Sequence, residues 1–254
     1  VSDLSAFSLT GRRILVTGAN TGIGQGIAVS IARAGGTVVG VGRSSMDETA
    51  ARIAAAGGRF EAVAADLADT SAAGPMLERV WDESGPLDGL VNNAGIIRRA
   101  DAIDLSEADW DEVLDLNLKT AFLLCQGFAR RVLAGGRKGK IVNIASVLSF
   151  QGGIRVASYT ASKHGVLGIT RLLACEWAAK GINVNGIAPG YIETNNTQAL
   201  RADPDRSASI LARIPAGRWG RPEDIGDAAA FLLAPASDYM HGAVVPVDGG
   251  WLAR

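Results

Sequence analysis

The chain has 254 residues, 48% of them hydrophobic, and a net charge of only −1. Mean hydropathy is +0.17, so a sizeable core is expected without staples, and extensive disorder is excluded. No basic stripe or tail marks a nucleic-acid or membrane surface, and two cysteines make no disulfide framework.

In chain order, strands alternate with helices. Residues 14–17 form a short apolar run ending in glycine, which suits a strand buried on both faces. Helical spacing follows over 23–34, with Ile23, Ile27, Ala28 and Ile31 on one side. Residues 37–41 are a second strand, 50–56 a helix, 60–65 a third strand, 73–84 a helix and 89–92 a fourth strand. A long helix is expected over 109–133, a fifth strand over 140–145, a long helix over 159–179 and a strand over 182–187. Pro189 and Gly190 then predict irregular structure. Residues 195–215 read as helix interrupted by loops, 223–233 as a helix and 244–247 as a last strand. This alternation predicts one α/β domain over 1–254. Its fold is Rossmann-type: a doubly wound parallel sheet with helices on both faces. The polar stretch 194–222 is too short for a domain boundary and is expected to cover the site as a lid. Cys125 and Cys175 lie in apolar helical patterns and are expected to be buried thiols. A basic-then-apolar leader and a membrane-length apolar run are both lacking, so a cytoplasmic setting is expected.

The turn between the first strand and first helix carries Gly18, Asn20, Thr21, Gly22, Ile23 and Gly24. Glycines there let the backbone approach a pyrophosphate resting on the helix N-terminus. A glycine-rich turn alone is a weak signal; its place at the first βα unit of such a sheet strengthens it. At the end of the second strand no carboxylate is available to grip ribose hydroxyls. Arg43, followed by Ser44, could pair with a 2′-phosphate, which favours NADP(H) over NAD(H). Asp66 and Leu67 would lie beside the adenine; Asn93, Ala94 and Gly95 beside the ribose and the sheet centre.

Tyr159 and Lys163 are four apart at the start of a helix, so they share a face. Ser146 follows the fifth strand, at the same end of the sheet. A free phenol has a pKa near 10, and a neighbouring ammonium is expected to lower it. Ser146 would then orient a substrate oxygen and Tyr159 exchange its proton, an acid–base arrangement that needs no histidine. The two histidines, His164 and His241, show no relay pattern, and no Cys/His cluster has metal-ligand spacing, so no metal is expected. A Tyr–Lys pair alone is an ordinary amphipathic face; the serine and the phosphate-type turn shift that balance.

TGxxxGxG at 17–24, NNAG at 92–95, Asn117, Ser146 and the YxxxK pair at 159–163 resemble the short-chain dehydrogenase/reductase family over nearly the whole chain. The resemblance implies Ser146 as carbonyl stabiliser, Tyr159 as acid/base and Lys163 as phenol activator and ribose ligand. It also implies that Asn117 holds a water linking Lys163 to solvent, and that Pro189, Gly190, Ile192 and Thr194 border the nicotinamide. Homotetramers built from a helix pair and the last strand are implied as well. Segments 5–9, 149–156, 213–220 and 248–254 are similar to the 2-dehydro-3-deoxy-D-gluconate 5-dehydrogenase group of that family, with gluconate 5-dehydrogenases as cousins. Those enzymes interconvert hydroxyl and keto groups on sugar acids. An anionic substrate calls for a cation, and Arg98 or Arg99, directly after NNAG, is expected to bind its carboxylate, with Arg155 a further candidate. Two other readings stand beside this one: a reductase of another carbonyl, such as a 3-oxoacyl thioester, and a non-catalytic NAD(P)-binding regulator.

Overall fold

The computed structural model describes residues 4–254; the first three residues of the expected 1–254 unit lie outside the described part. Seven strands form one sheet: β1 (Arg13–Thr17), β2 (Thr37–Gly42), β3 (Arg59–Ala64), β4 (Gly89–Asn92), β5 (Gly139–Ile144), β6 (Ile182–Pro189) and β7 (Val244–Val247). Their order is β3-β2-β1-β4-β5-β6-β7, and every pair is parallel. The chain winds outward from β1 in one direction, then crosses to β4 and winds in the other. The strand tips on either side of β1 and β4 therefore part and leave a crevice.

Helices cover both faces because successive strand side chains point to opposite sides. Ile14 and Val16 pack toward α1 (Gly22–Arg33), α2 (Asp47–Ala55) and α9 (Pro222–Leu233). Leu15 packs toward α3 (Ala73–Ser84), α5 (Thr120–Ala134) and α6 (Ala157–Trp177). Strands buried on both faces carry apolar residues without alternation; all of β4 and β6 is buried. Pro246 is tolerated in β7 because that strand lies at the sheet edge.

Several expectations need correction. Pro189 is the last residue of β6 rather than irregular structure. The helix expected over 109–133 is two helices, α4 (Glu107–Leu114) and α5, joined by a wider π turn at Asp115–Lys119. Asn117 lies in that turn, held by side-chain bonds to the loop after β4, and such insertions are frequent at functional sites. Cys125 is buried, but Cys175 is exposed. On α6 the buried stripe runs through Val166, Thr170, Leu173 and Trp177, and at 100° per residue position 175 falls on the other side. The stretch after β6 holds two short helices, α7 (Gln198–Ala202) and α8 (Pro204–Leu211). It packs through Ile210, Ile214 and Trp219 on Trp251 and Val147 as a small separate core.

Candidate active site

A cleft of about 420 Å³ opens at the carboxyl ends of the strands. Its first wall is the β1–α1 turn, from which Gly18, Asn20, Thr21, Gly22, Ile23 and Gly24 all line it. Gly18 has φ +67°, where a side chain is strained. A Cβ on Gly24 would stand 2.1 Å from the Gly18 carbonyl oxygen, so no other residue lets the turn close this tightly. Thr21 ends the turn without a side-chain hydrogen bond to α1. The first N–H groups of the helix are thus left for a ligand, as a bound phosphate requires.

Arg43 lines the cleft at the tip of β2, exposed and with no carboxylate paired to it among the described residues. Ser44 lies just outside the lining, its hydroxyl accepting from Asn20 Nδ2 at 2.8 Å. Asp66 and Leu67 line the cleft beyond β3, and Asn93, Ala94 and Gly95 beyond β4. Thr17 holds the β4 turn in place: its Oγ1 accepts from the N–H groups of Asn93 and Ala94 at 3.0 Å each. Asn93 Nδ2 donates back to the Thr17 carbonyl at 2.9 Å. Pro189, Gly190, Ile192 and Thr194 complete the far wall, joined by Asn195, Asn196 and Thr197. This set fits a dinucleotide: an uncapped helix start, a glycine turn without side chains and an unpaired arginine at the second strand tip.

Ser146, Tyr159 and Lys163 meet at the inner end of the cleft. Ser146 Oγ accepts from the Leu148 N–H at 3.1 Å, which sets its orientation. Tyr159 is partly buried. Burial raises its phenol above the ordinary value, while a hydrogen bond to Ser146 and the charge of Arg99 pull it down. The sequence predicts that Lys163 does the lowering. Lys163 instead donates from Nζ to the Ile144 carbonyl at 2.6 Å and stands 5.6 Å from the Tyr159 ring centre. Burial pushes its ammonium down to about 8, because no carboxylate offsets the lost hydration.

Asn117 sits beneath this group. Its Oδ1 accepts from the Ile96 N–H at 2.9 Å, and its Nδ2 donates to the Ile96 carbonyl and to Ser162 Oγ. Ser162 in turn donates to the Tyr159 carbonyl at 2.8 Å. Arg98 is turned onto α4, its Nε and Nη2 bonded to Glu112 at 2.9 and 2.8 Å. Arg155 pairs with Asp101 at 3.2 Å, both exposed. Among the described residues Arg99 meets no carboxylate; its Nη2 donates to the Asn196 carbonyl at 3.4 Å. None of the three arginines lines the cleft itself. His164 and His241 bond a backbone carbonyl and Asn183, not a carboxylate. Among the described residues no three His, Cys, Asp or Glu side chains come together as a metal group. Sequence reading gave no bonding role to Thr17, which it placed only in the glycine motif, and set residues 195–197 only within the expected lid. It gave no site role to Ser149 or Ser162; Ser149 carried one signal, its three-residue spacing from Ser146.

A family model for enoyl-(acyl carrier protein) reductases matches residues 18–252. The chain is 57% identical to 2-dehydro-3-deoxy-D-gluconate 5-dehydrogenase of Dickeya dadantii over 99% of each chain. It is 62% identical to a solved structure from Agrobacterium tumefaciens described as a 2-deoxy-D-gluconate 3-dehydrogenase with bound NADP. The TM-score there is 0.93, over 98% of this chain and 99% of that one. Gluconate 5-dehydrogenase of Burkholderia cenocepacia, solved with NADP and tartrate, is 37% identical with a TM-score of 0.93 over the full length of both. Likeness of this depth, running from the glycine turn to the C-terminal turn, places the chain in the short-chain dehydrogenase/reductase family of oxidoreductases.

Proposed function

We propose that this enzyme uses NADP(H) to interconvert a hydroxyl and a keto group on a sugar acid of the 2-keto-3-deoxygluconate or gluconate type. The observation that carries the reading is the meeting of Ser146, Tyr159 and Lys163 in a nucleotide-shaped cleft, with the unpaired Arg99 close enough to act on the Tyr159 phenol. When bound, the nucleotide supplies the hydride acceptor or donor. Ser146 donates a hydrogen bond to the substrate oxygen. During oxidation the Tyr159 oxygen takes the hydroxyl proton; during reduction it returns that proton to the carbonyl oxygen. Lys163 favours the phenolate by its charge and holds ribose hydroxyls, and Asn117 holds the water path to it. Arg43 with Ser44 takes the 2′-phosphate, and the glycine turn takes the pyrophosphate. Of the three arginines, Arg99 is assigned the substrate carboxylate, because Arg98 and Arg155 already hold carboxylates of the chain. Residues 194–222 serve as the lid. A homotetramer is inferred from family likeness, and a cytoplasmic setting from the cysteine usage; no helix among the described residues is long and apolar enough to cross a membrane.

Absorbance at 340 nm with 2-keto-3-deoxygluconate, gluconate, 5-ketogluconate and 2-deoxygluconate, each with NADP and NAD, tests the substrate and cofactor. An acetoacetyl thioester represents the acyl-carrier reading. Turnover on the thioester alone would discard the sugar acid. Arg99→Ala is expected to raise KM for the acid by about tenfold or more, as loss of a charged hydrogen-bond pair does. It should also move the pH limb set by Tyr159 to higher pH. Arg98→Ala should leave both in place. Light scattering after size exclusion tests the tetramer.

A further inference from the structure

Lys163 and Ser146 come from different elements, and something must hold them in register. The backbone of α6 carries Lys163, whereas Ser146 begins the turn after β5. Ser149 lies between them. It is 2% exposed and takes no part in lining the cleft. Its hydroxyl donates to the Lys163 carbonyl at 2.6 Å. The same oxygen accepts from the Ser146 N–H at 3.3 Å. One buried hydroxyl thus joins the main chains of two of the three reacting residues, with its single proton committed in one direction.

A second tie runs alongside. Lys163 Nζ donates to the Ile144 carbonyl, two residues before Ser146. Lys163 is therefore fastened to the same short stretch of chain twice, by its side chain and through Ser149 by its carbonyl. Tyr159, one helical turn earlier on α6, shares that frame. Among the described residues, no other side chain of the 147–149 turn hydrogen-bonds to α6.

We propose that Ser149 is a positioning residue, a hydroxyl brace that sets the placement of Lys163 and Tyr159 relative to Ser146. It touches neither substrate nor nucleotide and acts through the other three. This rests on the acid–base roles proposed above. Without the brace the buried Ser146 N–H loses its Ser149 acceptor, and the helix turn is free to shift against the serine. A shift of about 1 Å in a reacting group lowers turnover about a hundredfold. Displaced from the phenol, Lys163 also favours the phenolate less, so the kinetic limb set by Tyr159 moves to higher pH.

The test compares Ser149→Ala and Ser149→Thr with the parent enzyme in full pH profiles of kcat, together with KM for both substrates and a thermal melt. Ser149→Ala is expected to lower kcat by about ten- to a hundredfold, leave both KM values nearly unchanged and displace the limb to higher pH. Ser149→Thr, which keeps the hydroxyl, should hold kcat and the limb near their parent values. Parent-like kcat and limb in Ser149→Ala would overturn the proposal. So would activity lost only in step with folded protein while the limb stays put. If Ser149→Ala folds too poorly to assay, a displaced limb in Ser149→Thr overturns it. Tyr159→Phe reports on the underlying chemistry separately: full activity there defeats the acid–base reading, whereas an inactive Tyr159→Phe beside a normal Ser149→Ala defeats the brace alone.

Discussion

Replacing Lys163 by methionine should remove activity and yet make the free enzyme more stable. The ammonium is buried, its pKa pushed from 10.5 to about 8 by lost hydration. At about 1.4 kcal/mol per pKa unit, that drop corresponds to about 3 kcal/mol of unfavourable charge burial at neutral pH. Methionine fills a similar volume without the charge. The Ile144 carbonyl loses its partner, which gives back about 1 kcal/mol. The net expectation is a gain of about 2 kcal/mol, or about 4–8 °C in Tm for a chain of this size. The pH dependence has a definite sign. Between pH 8 and 10.5 the unfolded lysine binds a proton that the folded one has released, so parent stability rises with pH across that window. The advantage of Lys163→Met is therefore full below about pH 8 and disappears toward pH 10.5. Thermal melts of both proteins without nucleotide, at pH 7 and pH 10, decide this. A variant melting at or below the parent at pH 7, or a difference that does not shrink by pH 10, would show that the buried ammonium carries no such penalty.

Gly24→Ala would bring a Cβ to 2.1 Å from the Gly18 carbonyl; the turn must open, and nucleotide affinity in a fluorescence titration should fall by about two orders of magnitude or more, as loss of phosphate contacts worth a few kcal/mol implies. Affinity unchanged within error would mean that the turn does not hold the pyrophosphate. Arg43→Ala should weaken NADP by about tenfold or more while leaving NAD within a small factor, since only the 2′-phosphate distinguishes them. Equal losses for the two nucleotides, read from KM ratios, would remove Arg43 from that role.

Much of this protein was legible in its sequence because periodicity and glycine placement are local properties. All seven strands fall where runs of β-branched and apolar residues put them, to within a residue or two at most ends. The glycine turn, Ser146 and the Tyr159–Lys163 pair could be named from their combination in order along the chain, since four residues make one helical turn and strand tips share one edge. Other features depend on partners distant along the chain. The π turn at Asp115–Lys119 follows from Asn117 reaching the loop at Ile96, and helical periodicity carries no trace of that bond. Arg98 and Arg99 are identical neighbours in sequence, yet one meets Glu112 and the other does not. The direction of the Tyr159 and Lys163 shifts depends on burial, which no spacing reports. Residue order alone determined the parallel α/β frame and the strand tips that carry the glycine turn, Ser146 and the Tyr159–Lys163 pair, but not that Arg98, Arg99 and Arg155 stay off the cleft wall. Only the tertiary structure decided which charges are already paired, how deeply the site is buried and which hydroxyls hold it together, because those follow from distances closed by folding rather than from neighbours along the chain.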